Sequence, residues 1–354
     1  MLSAKKLGGG PKTRSFSGLA HYFDEQQAEQ SPDKARDEYL LADQSSRVPA
    51  QWWCPAGDLQ TDGARIAPGE LKQALEGFGR DGTKLVQDAA RNTRVGGWDL
   101  SLSVPKPLSA LWALSDPETR REIVGDVLAS ARETFAELHR SGAFVTRRGK
   151  GGRVHEAAAD VAIAIVPHAM SRAADPHIHL HAILINSCRR QDGTSGAIHS
   201  PAVFAANGDG AITMGFLDRL SQKLTDRGMT LINRNATGFE IEGVPKELVR
   251  LWSSRRQVIL AEVEKAREPA LTAKAQGMQR ARIARETRAA KATLATGAGL
   301  ERRWRQQLQS WGINPTQVWR RVMERAAVIR RQVAGFGYAA VEKLKQANIL
   351  RMRQ

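Results

Sequence analysis

The chain is poor in cysteine and tyrosine: its 354 residues include two of the first, Cys54 and Cys188, and three of the second, Tyr22, Tyr39 and Tyr338. Two thiols cannot build a disulfide framework or a thiolate zinc site, and they suit a reducing compartment. Long apolar runs are also lacking, since none approaches the roughly 18 residues that cross a bilayer. The opening MLSAKKLGGGPKTRS has no apolar stretch of the signal-peptide kind. A cytoplasmic protein without membrane insertion is the expectation. No GxxxxGK[ST] loop occurs, and GGGPKT near the start has the wrong spacing for one. No internal repeat is visible either.

Positive charge, by contrast, is plentiful: 53 Lys+Arg stand against 37 Asp+Glu, a formal net charge of +16. The excess is local. Residues 270–354 hold 18 Lys+Arg and 4 Asp+Glu, while the preceding 269 residues are nearly balanced. A concentrated positive field favours a polyanion, and nucleic acid is the commonest one in the cytoplasm. A solvated basic helix would carry the same charges, so charge alone does not decide.

Alternation marks the strands. In WDLSLSV, residues 98–104, Trp98, Leu100, Leu102 and Val104 share one face, and Asp99, Ser101 and Ser103 share the other. Runs at 160–167 (DVAIAIVP) and 177–185 (HIHLHAILI) read as neighbouring antiparallel strands. Residues 143–157 suggest a hairpin around GKGG, and 230–234 with 238–242 suggest two further short strands. Helical spacing covers 17–29, 69–79 and 108–141, the last broken where Asp116 and Pro117 start a second helix. Helices resume at about 202 and continue to the end, interrupted near Pro269, Gly297 and Pro315. The polar, proline-punctuated stretch 31–63 reads as mostly loop. This is an α+β pattern, an antiparallel sheet with helices on one face.

Four of the eight histidines fall within residues 168–181. Side chains two apart on a strand share a face, so His177, His179 and His181 project together, and His168 closes the neighbouring strand beside them. Imidazoles so grouped repel one another if protonated, whereas a cation bound to their neutral nitrogens orders them. A three-histidine site leaves coordination positions open, as catalytic sites require. A single histidine would be better read as hydrogen-bonded or solvated; His139, His155, His199 and His21 are taken that way. Asp99 stands out as the acid on the polar face of an otherwise apolar strand. Tyrosine can act as a nucleophile toward phosphorus, giving a phosphotyrosine ester of about the energy of the phosphodiester it replaces. A phenol of pKa about 10 needs a metal on the phosphate and a nearby base to do so.

Three stretches together resemble the relaxase domain of MobF-type, TrwC-like conjugative relaxases, a branch of the HUH endonucleases. They are MLS with LAHYFDE around Tyr22, GWDLSLSVPKPLSALWALSDPETR from Gly97, and HAMSRAADPHIHLHAILIN from His168. In the third, His168, His179 and His181 fall on the family's three-histidine spacing, and Arg172 and Asp175-Pro176 also match. The similarity extends with gaps to about Pro315. It implies a ferredoxin-like central sheet with helical C-terminal flaps that close over DNA. It also implies a site- and strand-specific nickase that opens a plasmid transfer origin through a 5′-phosphotyrosyl intermediate. Tyr22 would attack, His168, His179 and His181 would hold one divalent metal, and Asp99 would orient a ligand histidine or help deprotonate the tyrosine. Lys106 and Arg172 are the implied DNA contacts. Implied partners are single-stranded DNA with an origin hairpin, relaxosome accessory proteins and a type IV secretion coupling protein. Imidazole ligands favour zinc, nickel, cobalt or manganese, while a phosphate substrate and cellular abundance favour magnesium or manganese.

The sequence departs from the family at Phe23, which follows Tyr22 where a second tyrosine often stands. His177 occupies a position that is usually not a ligand. The expected organisation is a relaxase domain over 1–315, with basic flaps from about 250, a basic helical tail over 316–354, and no helicase domain. Rolling-circle replication initiators use the same chemistry, but there the tyrosine follows the histidines, whereas Tyr22 precedes His168 by 146 residues. A non-catalytic DNA-binding module is the remaining alternative.

Overall fold

The computed structural model describes residues 3–8, 48–265 apart from 68, 92 and 172, positions 279, 282, 283 and 286, and 297–335. Its centre is a six-stranded antiparallel sheet. The order is β1 (Ser3–Gly8), β3 (Val95–Ser103), β7 (Pro176–Arg189), β6 (Asp160–Met170) and β2 (Gln51–Trp53), with β8 (Ser195–Gly196) on the end of β7. The two innermost strands are the 160s and 180s runs, joined by a tight turn as their proximity in sequence predicts. β3 extends over the expected WDLSLS face, and Gly97 within it is required by packing. A Cβ there would lie 2.4 Å from the Leu184 carbonyl oxygen.

One face of the sheet is closed by long helices. Pro105 and Pro107 end β3 and start α2 (Lys106–Ala113), since a proline at the first helical positions loses no hydrogen bond. Asp116 then caps α3 (Pro117–Arg140), accepting from the N–H groups of Glu118 and Thr119 at 2.9 Å each. The predicted break between the two helices lies there. Ile123, Val127, Ala131 and Phe135, one side of α3, are fully buried. α4 (Ser200–Asp226) packs beside it and is tied by the ion pairs Lys223–Glu133 and Arg227–Glu122. Leu100, Leu102, Ile163, Ile165, Leu180 and Leu184 from the sheet complete this core.

The other face carries a smaller layer. α1 (Glu70–Glu76) places Leu71, Ala74 and Leu75 with Trp52, Ile66 and Leu85 over Ala162, Ala164, Val166, Ile183 and Ile185. At its edge the Asp160 carboxylate accepts from Ala56, Asp58 and Leu59 N–H and from the Cys54 thiol, pinning the 54–59 segment to β6. Both β1 and β2 escape the sequence reading. β2 is three residues inside a proline-rich stretch, and only its pairing to Ile163, Ala164 and Ile165 makes it a strand.

The hairpins β4 (Val145–Arg148) with β5 (Val154–Ala157), and β9 (Leu231–Asn235) with β10 (Gly238–Ile241), form where expected. After them come α5 (Lys246–Leu251), α6 (Ser254–Lys265), α7 (Gly297–Ser310) and α8 (Pro315–Gly335). Trp112, Trp252, Trp304 and Trp311 make a chain of edge contacts at centroid spacings of 6.0–6.4 Å that holds α7 to the body. Arg120 reinforces it, contacting Glu301 at 2.5 Å and lying over the Trp112 ring. α8 starts at Pro315, and its Val318 and Val322 are buried in the same core. No described helix is long and apolar enough to cross a membrane.

Candidate metal centre

The α1 layer covers the second sheet face only as far as Val166 and Ile183. Beyond those residues that face carries His168, His179 and His181. The register explains the convergence: His168 lies directly opposite His179, and Val166 opposite His181. His168 and His181 are therefore diagonal neighbours, within reach for ring-sized side chains. Ring centroids are 4.9 Å apart for His168–His179, 4.5 Å for His168–His181 and 5.3 Å for His179–His181. One ligating nitrogen from each lies within 4.8 Å of the others, the only such cluster among the described residues.

Two of the rings are oriented from behind. His181 Nδ1 sits 2.8 and 2.9 Å from the two Asp99 carboxylate oxygens, and His179 Nδ1 sits 3.0 Å from the His177 carbonyl oxygen. Neither acceptor has a proton to give, so both imidazoles donate through Nδ1 and present Nε2 to the cluster. Asp99 reaches His181 because β3 pairs with β7 so that Ser101 opposes His181 and Asp99 opposes Ile183, on the same face. Asp99 is 8% exposed.

Burial, and then the neighbouring His181, push the His179 imidazole down to about 4. The same desolvation holds His177 well below the usual imidazole value. His179 is thus neutral at physiological pH, the state in which imidazole binds a metal. Three imidazole nitrogens converging on one side, two of them on rings held from behind, fit a divalent cation with positions left for water or phosphate oxygens. His177 stacks on His179 at 4.9 Å and 25° rather than entering the cluster.

Lys106 lies at the start of α2, where its ammonium donates to the Pro176 carbonyl at 2.6 Å. Burial brings it down to about 8, opposed by the charge of Asp175. Tyr22, Tyr39, Tyr338 and Arg172 lie outside the described residues. The turn before β7 is fixed from the C-terminal helices: Asp175 accepts from Ser254 N and Oγ at 2.9 Å each, and Trp304 Nε1 donates to the Ala174 carbonyl at 2.9 Å. The sequence reading missed the His177 carbonyl, because a main-chain acceptor has no residue signature. It also missed Ser254 and Trp304, which lie far along the chain. Of the histidines read as ordinary, His155 is exposed, and His199 meets its ring edge-on at 4.0 Å.

At the far end of β7, Lys84, Arg147, Arg148, Arg189 and Arg190 line a groove of about 960 Å³ with several glycines at its rim. Arg189 follows His181 by eight residues of extended strand, about 26 Å.

A family model described as TrwC relaxase matches residues 17–311. Among solved structures, the metal-bound conjugative relaxase TrwC in complex with oriT DNA superposes with a TM-score of 0.69 at 20% identity, covering 89% of this chain and 100% of that one. TrwC complexed with a 27-mer DNA comprising the recognition hairpin and the cleavage site gives 0.68 at 19% identity over the same shares. At these identities the likeness establishes a common fold. No curated protein matches the chain.

Proposed function

The chain belongs to the TrwC relaxase family, and on that footing we propose that it nicks one strand of a transfer origin and remains joined to the DNA through Tyr22. The observation that carries this reading is the cluster of His168, His179 and His181, with nitrogens within 4.8 Å and Asp99 behind His181. A divalent cation held there supplies positive charge at the non-bridging oxygens of a phosphodiester, easing attack on phosphorus. His179 and His181 act as ligands through Nε2. Asp99 fixes the ring of His181 and increases its basicity, as outer carboxylates do for ligand imidazoles.

In the cleavage step the Tyr22 oxygen bonds to the scissile phosphorus as the bond from phosphorus to the 3′ oxygen breaks. The tyrosyl proton passes to a base, the 3′ oxygen takes up a proton and leaves as a free hydroxyl, and the 5′ side stays on the enzyme. One phosphodiester replaces another, so the step is reversible and the strand can be rejoined. The groove lined by Lys84, Arg147, Arg148, Arg189 and Arg190 is a fitting seat for the backbone of an origin hairpin, since such contacts are electrostatic and independent of sequence. Transfer of the adduct through accessory proteins and a secretion coupling protein belongs to the same proposal. Magnesium or manganese is the expected ion in the cell, with zinc, nickel or cobalt able to replace it.

The test is a covalent adduct. Single-stranded oligonucleotides tiled across the DNA flanking the chain's own gene are incubated with the protein and Mn²⁺, then resolved under denaturing conditions. One oligonucleotide should yield a protein–DNA band that Tyr22→Phe abolishes while DNA affinity is largely retained. An undiminished band from Tyr22→Phe places the nucleophile elsewhere, and no band from any oligonucleotide supports binding without cleavage.

A further inference from the structure

β3 ends at Ser103, opposite His179. Beyond that point the main chain of β7 has no strand on the β3 side, yet buried N–H and C=O groups must still find partners. Val104 N–H reaches the Ile178 carbonyl at 3.2 Å. The rest is supplied by α2: Lys106 Nζ donates to the Pro176 carbonyl at 2.6 Å, and Ser109 Oγ accepts from Ile178 N–H at 3.0 Å. Lys106 and Ser109 are three apart on the helix and so share a face. They grip β7 on either side of His177. Ser109 and Ile178 are 0% and 1% exposed, so the grip is sealed from solvent.

On its other side β7 neighbours β6, where the ladder slips between His168 and Met170. The His177 carbonyl is the group that accepts His179 Nδ1–H at 3.0 Å. We propose that Lys106 and Ser109 are positioning residues of the metal centre: they hold residues 176–178 so that the His177 carbonyl fixes His179 as its Nδ1–H tautomer, with Nε2 turned to the cation. Lys106 then works on the protein's own main chain rather than on DNA. The proposal rests on the reading of the triad as a divalent-metal site, and one of its readouts does not depend on that reading.

The experiment compares the full chain with Lys106→Met and Ser109→Ala. Long-range ¹H–¹⁵N spectra of the metal-free proteins report the His179 tautomer, and calorimetric titration with Co²⁺ reports affinity. The parent should show a pure Nδ1–H form, and each variant a mixture of tautomers with Co²⁺ bound roughly tenfold more weakly. Ser109→Ala is nearly isosteric and decides the matter if Lys106→Met fails to fold. An unchanged tautomer and Co²⁺ affinity in the folded variants overturns the proposal. So does a drop of about one in the salt slope of metal-free single-stranded DNA binding by Lys106→Met, which would make it a phosphate contact. Failure of the parent to bind Co²⁺ would sink the metal reading instead, leaving the tautomer shift to judge the clamp.

Discussion

Two buried carboxylates sit in different regions of the same sheet, and their surroundings differ in kind. Asp160, at the start of β6, receives Ala56 and Asp58 N–H at 3.0 Å, Leu59 N–H at 3.2 Å and the Cys54 thiol at 2.9 Å. Asp99, in β3, makes its two short contacts, 2.8 and 2.9 Å, with a single imidazole, His181. The first is occupied by three main-chain donors and one buried thiol, and it fastens a loop. The second makes its short contacts with one ring on the open part of the sheet, with only a long contact of 3.5 Å from the Ser101 hydroxyl beside them. A carboxylate held mainly by peptide N–H groups is architecture; one whose short contacts go to a histidine beside other histidines is chemistry.

That contrast can be broken at several points. The largest effect is expected from Asp160→Ala, which strips an acceptor from three backbone N–H groups and should cost about 3–5 kcal/mol in urea unfolding, each orphaned donor contributing about 1–3 kcal/mol. Where the variant still folds, its affinity for Co²⁺ should match the parent. A loss of metal binding in the folded variant would show that the two regions are coupled.

Asp99→Asn is the opposite experiment. Divalent-metal affinity should fall roughly ten- to a hundredfold, with stability changed by about 1 kcal/mol or less. Calorimetric titration and a urea midpoint on one preparation measure both, and a large stability loss with intact metal binding would make Asp99 architectural too.

A smaller effect concerns pH. His179 titrates near 4 in the folded protein, through burial and then His181, against about 6.5 when unfolded. Between those values the unfolded chain binds the extra proton, so the stability of metal-free protein rises with pH across the window and is lost on acidification through it. Urea midpoints at pH 7 and 4.5 should show this slope, and His179→Gln should reduce it. An equally steep slope in the variant would assign it to other groups.

Much of this was legible in the sequence, for reasons that can be named. Strict alternation in WDLSLS and in HIHLH shows which residues of each strand share a face, while the link from Asp99 to a ligand histidine came only from the family resemblance. The Asp116-Pro117 helix start was equally plain, because capping is local. What escaped depends on partners distant in the chain. β2 is a strand only through β6, Cys54 is tied to an acid 106 residues away, and the turn before β7 is held by Ser254 and Trp304. Lys106 was singled out as a basic residue in a family motif, but sequence does not say where an ammonium points.

Gly97 stands where the sheet has no room for a side chain, two residues before Asp99 and on the same side of β3. With room there for a hydrogen and not for a methyl group, the Leu184 carbonyl presses against the backbone itself. The separation of β3 from β7, and with it the reach of the Asp99 carboxylate across to His181, is thereby gauged by the smallest side chain in the strand. Bulk added at that one position would act as a wedge, prising the acid from its ring without touching either.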